Sequence, residues 1–161
     1  MTPEERSTLV ARYRAGYAAF AAVLAGVTEA ELDARPFEGE WTAREIVHHL
    51  ADGELSSAVR IRRLVAEELP VIAGYDEGLY ARRLYYDVRP IDASLEVVRA
   101  ARAASATILD HLTDEEWARA GMHSEMGAYG VEVWLRVYAE HPYDHADQAR
   151  AALTAVRDAR A

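Results

Sequence analysis

The chain has 161 residues, no cysteine, and a formal net charge of −9 from 27 acidic and 18 basic residues. That length suits one domain, residues 1–161, with a core of its own. The acidic balance, with no basic stripe, excludes a nucleic-acid surface. The missing cysteines exclude disulfides, thiolate metal ligands and a cysteine nucleophile, and fit a cytoplasmic protein. In chain order, Thr2-Pro3-Glu4-Glu5 opens the first helix. A capping threonine precedes proline at the first helical position, and glutamate follows three residues after the cap. Leu9, Tyr13, Tyr17, Phe20, Leu24 and Val27 recur at steps of three and four, so the helix is amphipathic and runs to about Ala25. Its apolar part is too short to span a bilayer, and Glu4 and Glu5 spoil any basic leader. Thr28 and Glu31 form a second capping box, for a short helix that ends before Pro36.

Thr42 and Glu45 form a third box, with Trp41 and Ile46 placed as a hydrophobic staple. A long helix follows to about Leu69, where Pro70 ends it. Arg60, Arg62 and Arg63 read as a solvated face of that helix. Residues 70–90 form the least regular stretch, a crossover with a short helix near Glu77 to Leu84. Its tyrosines, 75, 80, 85 and 86, serve mainly to pack it onto the bundle. Asp92 is the expected cap of the next helix, which runs to about Leu112 with Leu95, Val98, Ala101, Ala104, Ile108 and Leu112 on its core face. His111, at its end, favours the negative helix terminus. Thr113 and Glu116 box a short helix through Trp117, and Gly121 to Gly130 reads as a solvated loop carrying His123 and Glu125. The last helix should cover about Val131 to Arg157. No segment alternates long enough to be a strand. Four long helices with a long crossover between the second and third make an all-α four-helix bundle.

His141-Pro142-Tyr143-Asp144-His145 puts two histidines one turn apart on one helix face, a bite suited to a divalent transition metal. A third ligand must come from another helix, and His48-His49 in the second long helix offers it. The two are about 100° apart around the helix, so only one faces inward, and periodicity leaves the choice open. Gly53 and Ser56 follow along the His49 stripe and suggest open volume above a metal. Pro142 removes the donor for the Tyr138 carbonyl and should kink the last helix.

Trp41-Thr42-Ala43-Arg44-Glu45-Ile46-Val47-His48-His49-Leu50-Ala51-Asp52 resembles the second-helix signature of the DinB-like superfamily, including its YfiT-type members. His141-Pro142-Tyr143-Asp144-His145-Ala146-Asp147-Gln148 resembles the fourth-helix signature of the same group. The resemblance implies an up-up-down-down bundle and a divalent ion, zinc or nickel, on three histidines. The helix-two ligand in that pattern directly precedes a leucine, which selects His49 beside His141 and His145. Asp52, Asp144 and Gln148, each one turn from a ligand, are candidate partners for ring nitrogens. Three neutral histidines leave a coordination position open, as in catalytic sites. The resemblance further implies a small-molecule substrate and a thiol cosubstrate such as bacillithiol or mycothiol. Hydrolysis of a small amide or ester is the second reading, and metal binding without turnover the third. The expected assembly is a homodimer, with neither nucleic acid nor membrane as partner.

Overall fold

All four Thr-x-x-Glu signals close as full capping boxes: each threonine side chain accepts from the backbone N–H of its glutamate, and each glutamate reaches back to the threonine N–H. They open α1 (Pro3–Val23), α2 (Glu29–Leu32), α3 (Ala43–Ala66) and α6 (Asp114–Trp117) in the computed structural model, which describes residues 1–160. The other helices are α4 (Glu77–Arg83), α5 (Asp92–Leu109) and α7 (Val131–Asp158). Asp92 is not a cap but the first residue of α5, whose start has no side-chain cap at all. Its position is fixed from α3 instead, where Arg44 donates to the Arg89 carbonyl and His48 reaches Ser94. The buried side of α5 is Ser94, Val98, Arg102, Ser105, Ala106 and Leu109, rotated from the expected face because it must bury Arg102. The helix stops at Leu109, short of Leu112, where Arg14 takes up the Ala106 carbonyl and the Asp110 carboxylate.

Three short strands depart from the all-helical expectation: β1 (Val71–Ile72), β2 (Ala120–His123) and β3 (Gly127–Gly130). β2 and β3 form an antiparallel hairpin, and β1 from the crossover pairs parallel to β2, with Val71 opposite Met122. Gly121 is required there, because a Cβ would lie 2.2 Å from the Pro70 carbonyl oxygen. The supposed loop is therefore a small sheet that pins the crossover to the entry of α7.

The long helices α1, α3, α5 and α7 form a four-helix bundle. Contacts between them fix their directions. Ser57 meets Trp134, Gly53 meets His141, and His49 meets His145, so α3 and α7 are antiparallel. His48 meets Ser94 and Glu54 meets Arg102, so α3 and α5 are parallel. Arg6 meets Glu132 and Arg12 meets Glu140, so α1 and α7 are parallel. The order is up-down-down-up, which corrects the up-up-down-down order that the resemblance implied. One long crossover suffices for this order, and it lies between α3 and α5, where the sequence placed it; up-up-down-down needs two.

Two large apolar clusters fill the bundle, and a smaller one of Leu32, Ala43 and Leu153 lies under α2. Tyr13, Ile61, Leu64, Trp134, Leu135 and Tyr138 pack in one half, and Phe20, Ile46, Leu50, Val98, Ala146 and Ala149 in the other. Between them along α3, α5 and α7 lies a polar layer containing Glu54, Ser57, Arg102 and His141. Pro142 does not end α7, which stays helical from Val131 to Asp158. The Tyr138 carbonyl that proline deprives of its partner accepts instead from Arg102 Nη2 at 3.1 Å. Among the described residues, no helix is long and apolar enough to cross a membrane.

Candidate metal centre

The two neighbouring histidines of α3 have different fates. His48 is fully buried, so both neighbours are buried although only one was expected to face inward. Its Nε2 lies 3.0 Å from the Arg89 carbonyl and its Nδ1 2.8 Å from Ser94 Oγ. A carbonyl only accepts, so Nε2 carries the proton and Nδ1 accepts from the serine hydroxyl. Both ring nitrogens are thus engaged in tying α5 to α3, and burial lowers the pKa of the ring.

His49 points the other way, toward α7. It is 2% exposed, with the Trp41 ring centred 4.7 Å from its own. The rings of His141 and His145 lie at 5.7 and 4.6 Å. His141 and His145 present Nε2 atoms 3.1 Å apart, with ring planes at 85°. The three residues offer ligand atoms that all lie within 4.8 Å of one another. Nitrogens on a tetrahedral zinc stand about 3.3 Å apart, given bonds of about 2.0–2.1 Å. The His141–His145 pair already stands near that spacing, and the three together could hold a divalent ion.

Its electrostatics favour the ligand form. Burial, followed by repulsion from His145 and His141, lowers the pKa of His49 to about 3. Burial and His141 lower that of His145 to about 4, against the opposing pull of Gln148 and Asp144. Both rings are neutral at pH 7, with lone pairs available to a cation. Gln148 Oε1 lies 2.9 Å from His145 Nδ1 and accepts its proton, which leaves Nε2 bare toward the cluster. Asp52 is turned elsewhere and accepts from the buried Tyr86 hydroxyl. Asp144 is exposed. Gly53 does not leave open volume: a Cβ there would lie 2.7 Å from His141 Cε1, so the missing side chain makes room for the ring.

Sequence reading missed Glu54 and Arg102. Glu54 is fully buried and paired with Arg102, and it stands 3.9 Å from His141 Nδ1. The available signal was a charge on an apolar stripe, since Ile46, Leu50, Glu54, Ser57 and Ile61 share one side of α3. His123 is buried in β2 against Tyr129, not solvated, while Glu125 and His111 are exposed. Arg60 is not simply solvated either: it donates to the Tyr138 hydroxyl and the Ala73 carbonyl. Tyr138 packs edge-on against His141. A cavity of about 390 Å³ adjoins this side, lined by Asp52, Leu55, Ser56, Arg60, Ile72 and Tyr80 among others.

A family model of the DinB superfamily matches residues 12–149. The chain belongs to the DinB superfamily. Among DinB relatives, a protein of Oceanobacillus iheyensis named "Putative metal-dependent hydrolase" is 32% identical over 115 residues, 71% of this chain and 66% of its own length. YfiT of Bacillus subtilis, with the same kind of name, is 30% identical over 120 residues, 74% of this chain and 67% of its own length. The chain thus spans about two thirds of the length of these relatives. The solved structure of YfiT, described as having "an unusual four-helix bundle topology", superposes with a TM-score of 0.89 over 99% of this chain and 90% of that one, at 24% identity. A mycothiol-dependent maleylpyruvate isomerase shares the fold, with a TM-score of 0.71 over 92% of this chain and 61% of that one, at 19% identity.

Proposed function

We propose that His49, His141 and His145 hold a divalent ion, zinc or nickel, and that the protein is a metal-dependent enzyme acting on a small molecule. One observation carries the reading. One buried and two half-buried histidines from two antiparallel helices offer ligand atoms within 4.8 Å of one another, and two of the three are kept neutral well below physiological pH. A divalent ion there would supply Lewis acidity, lowering the pKa of a thiol or water that reaches its open position. Gln148 fixes the orientation and tautomer of His145, and Trp41 and Gly53 fix the rings of His49 and His141. The cavity over Asp52, Leu55 and Tyr80 supplies a mixed apolar and polar wall for an organic substrate.

A thiol cosubstrate such as bacillithiol or mycothiol is the finer form of the proposal. Two carboxylates on α3 are bound by other residues, Asp52 by Tyr86 and Glu54 by Arg102, which leaves them poorly placed as general bases for water. A thiol needs less help, being far more acidic than water. The names of the DinB relatives favour the second reading, hydrolysis of a small ester or amide. The test begins with metal content after dialysis of the wild type and of His49→Ala, His141→Ala and His145→Ala. Equal stoichiometry in all four rejects the centre. Metal-loaded protein is then given bacillithiol, mycothiol or glutathione with a model electrophile, and separately an ester and amide panel. Metal-dependent conjugation supports thiol transfer, and turnover of the second panel alone replaces it with hydrolysis.

A further inference from the structure

Glu54 and Arg102 form the most deeply buried ion pair of the bundle, at 0% and 2% side-chain exposure. Arg102 is held on every side. Its Nε and Nη2 donate to the Tyr13 carbonyl, Nη2 also to the Tyr138 carbonyl, and Nη1 to Glu54 Oε1. Its guanidinium lies over the Tyr13 ring, 3.9 Å from the centroid. Glu54 is thereby locked in place but not saturated, because its Oε2 is buried with no hydrogen-bond partner. Across from the carboxylate, 3.9 Å from Oε1, stands His141 Nδ1, which is also buried and without a partner. The nearer carboxylate oxygen is Oε1, the one that accepts from Arg102, so a rigidly mounted carboxylate with one oxygen still free and an unengaged ring nitrogen stand across a gap of 3.9 Å, longer than a hydrogen bond, within the polar layer.

The other nitrogen of that ring, Nε2, is the one that meets His145. An imidazole binds a metal only through a nitrogen without a proton, so a neutral His141 that ligates through Nε2 must carry its proton on Nδ1. Nδ1–H would then point at the unsaturated carboxylate. We propose that Glu54, mounted on Arg102, is a positioning residue for the metal centre: it accepts from His141 Nδ1–H, selects that tautomer, and leaves Nε2 bare for the ion. Gln148 performs the same task for His145 from the opposite side. The inference rests on the three-histidine reading, and it adds a dependence of that centre on α5 and α1, neither of which contributes a ligand. Pro142 belongs to the arrangement. By freeing the Tyr138 carbonyl one turn before the proline, it gives Arg102 an acceptor on the helix that carries His141.

The test is Glu54→Gln. The amide keeps an oxygen for Arg102 but loses the charge, and it replaces the oxygen that has no partner with an NH₂ donor. Zinc affinity is measured by chelator competition beside the wild type, with thermal melts of both metal-free proteins. We expect a 10- to 100-fold weaker zinc affinity in a variant that still folds. Equal affinity in wild type and variant overturns the inference while the metal centre stands. A wild type that binds no zinc overturns both. Should Glu54→Gln not fold, nitrogen-15 NMR of zinc-loaded wild type decides. A proton on His141 Nδ1 with zinc on Nε2 supports the role, and zinc on Nδ1 refutes it.

Discussion

Gly53→Ala separates the metal centre from the stability of the bundle. Gly53 lies inside α3, where replacing glycine by alanine favours the helix by about 1 kcal/mol. The new Cβ would stand 2.7 Å from His141 Cε1, so ordinary contact at 3.4 Å requires the ring to retreat by about 0.7 Å. The ring is the free end of a side chain, and an off-rotamer turn of about 30° costs about 0.5–1.5 kcal/mol. The two effects nearly cancel. The metal-free variant should melt within about 4 °C of wild type, since 1 kcal/mol corresponds to about 2–4 °C at this chain length. Metal–nitrogen bonds tolerate displacements of only about 0.2 Å, so the same movement should lower affinity on the order of 100-fold. Chelator competition with zinc and with nickel, beside thermal melts of the metal-free proteins, reads both quantities. A variant that melts like wild type and binds metal equally well would refute the claim that Gly53 sets the position of His141.

Gly16→Ala should behave in the opposite way, because its Cβ would lie 2.4 Å from Pro142 Cγ, in a ring that cannot swing aside. We expect it to destabilise the fold by about 1–3 kcal/mol despite the gain in helix propensity, as read by denaturant titration. His48→Ala should lose about 2–4 kcal/mol of stability, from its volume and two buried hydrogen bonds, with metal stoichiometry unchanged. If that variant alone is emptied of metal, His48 is the ligand and His49 is not. In the metal-free protein, the pKa of His49 is lowered to about 3 and that of His145 to about 4 from an unfolded value of about 6.5. The stability they support is complete above about pH 6.5 and is lost as pH falls toward those values, by about 2 kcal/mol per ring at pH 5. Their mutual repulsion makes the combined loss smaller than the sum. Urea titrations at pH 7 and pH 5 check this, and His49→Ala should flatten the difference.

The helix starts were legible because a capping box is local: Thr42 and Glu45 need only each other and the intervening turn. The histidine pair was legible for the same reason, since a four-residue spacing fixes a helix face. Choosing His49 over His48 required the family resemblance, because both positions are buried and only tertiary partners distinguish them. The strands escaped notice because two to four residues are too few for a period, and their pairing is between backbones. Helix direction was not legible at all, since it depends on which corner each helix occupies. Glu54 sits on the apolar stripe of α3 and Arg102 lies off the apolar face expected for α5, and each is tolerable when buried only because of the other.

The repaired carbonyl of Tyr138 bears on the portability of this centre. The hydrogen bond that Pro142 removes from a continuous helix is made good by an arginine from another helix, which reaches Tyr138 past a glycine on a third. The motif from His141 to His145 is therefore not self-sufficient. Grafted onto an ordinary helix as a designed metal clamp, it would bring its proline without the guanidinium that compensates for it, and the two rings would not keep their spacing. A transplant would need the five-residue motif together with counterparts of Gly16, Gly53, Glu54 and Arg102. The unit that design or recombination can move is the cross-section of the bundle, not the peptide.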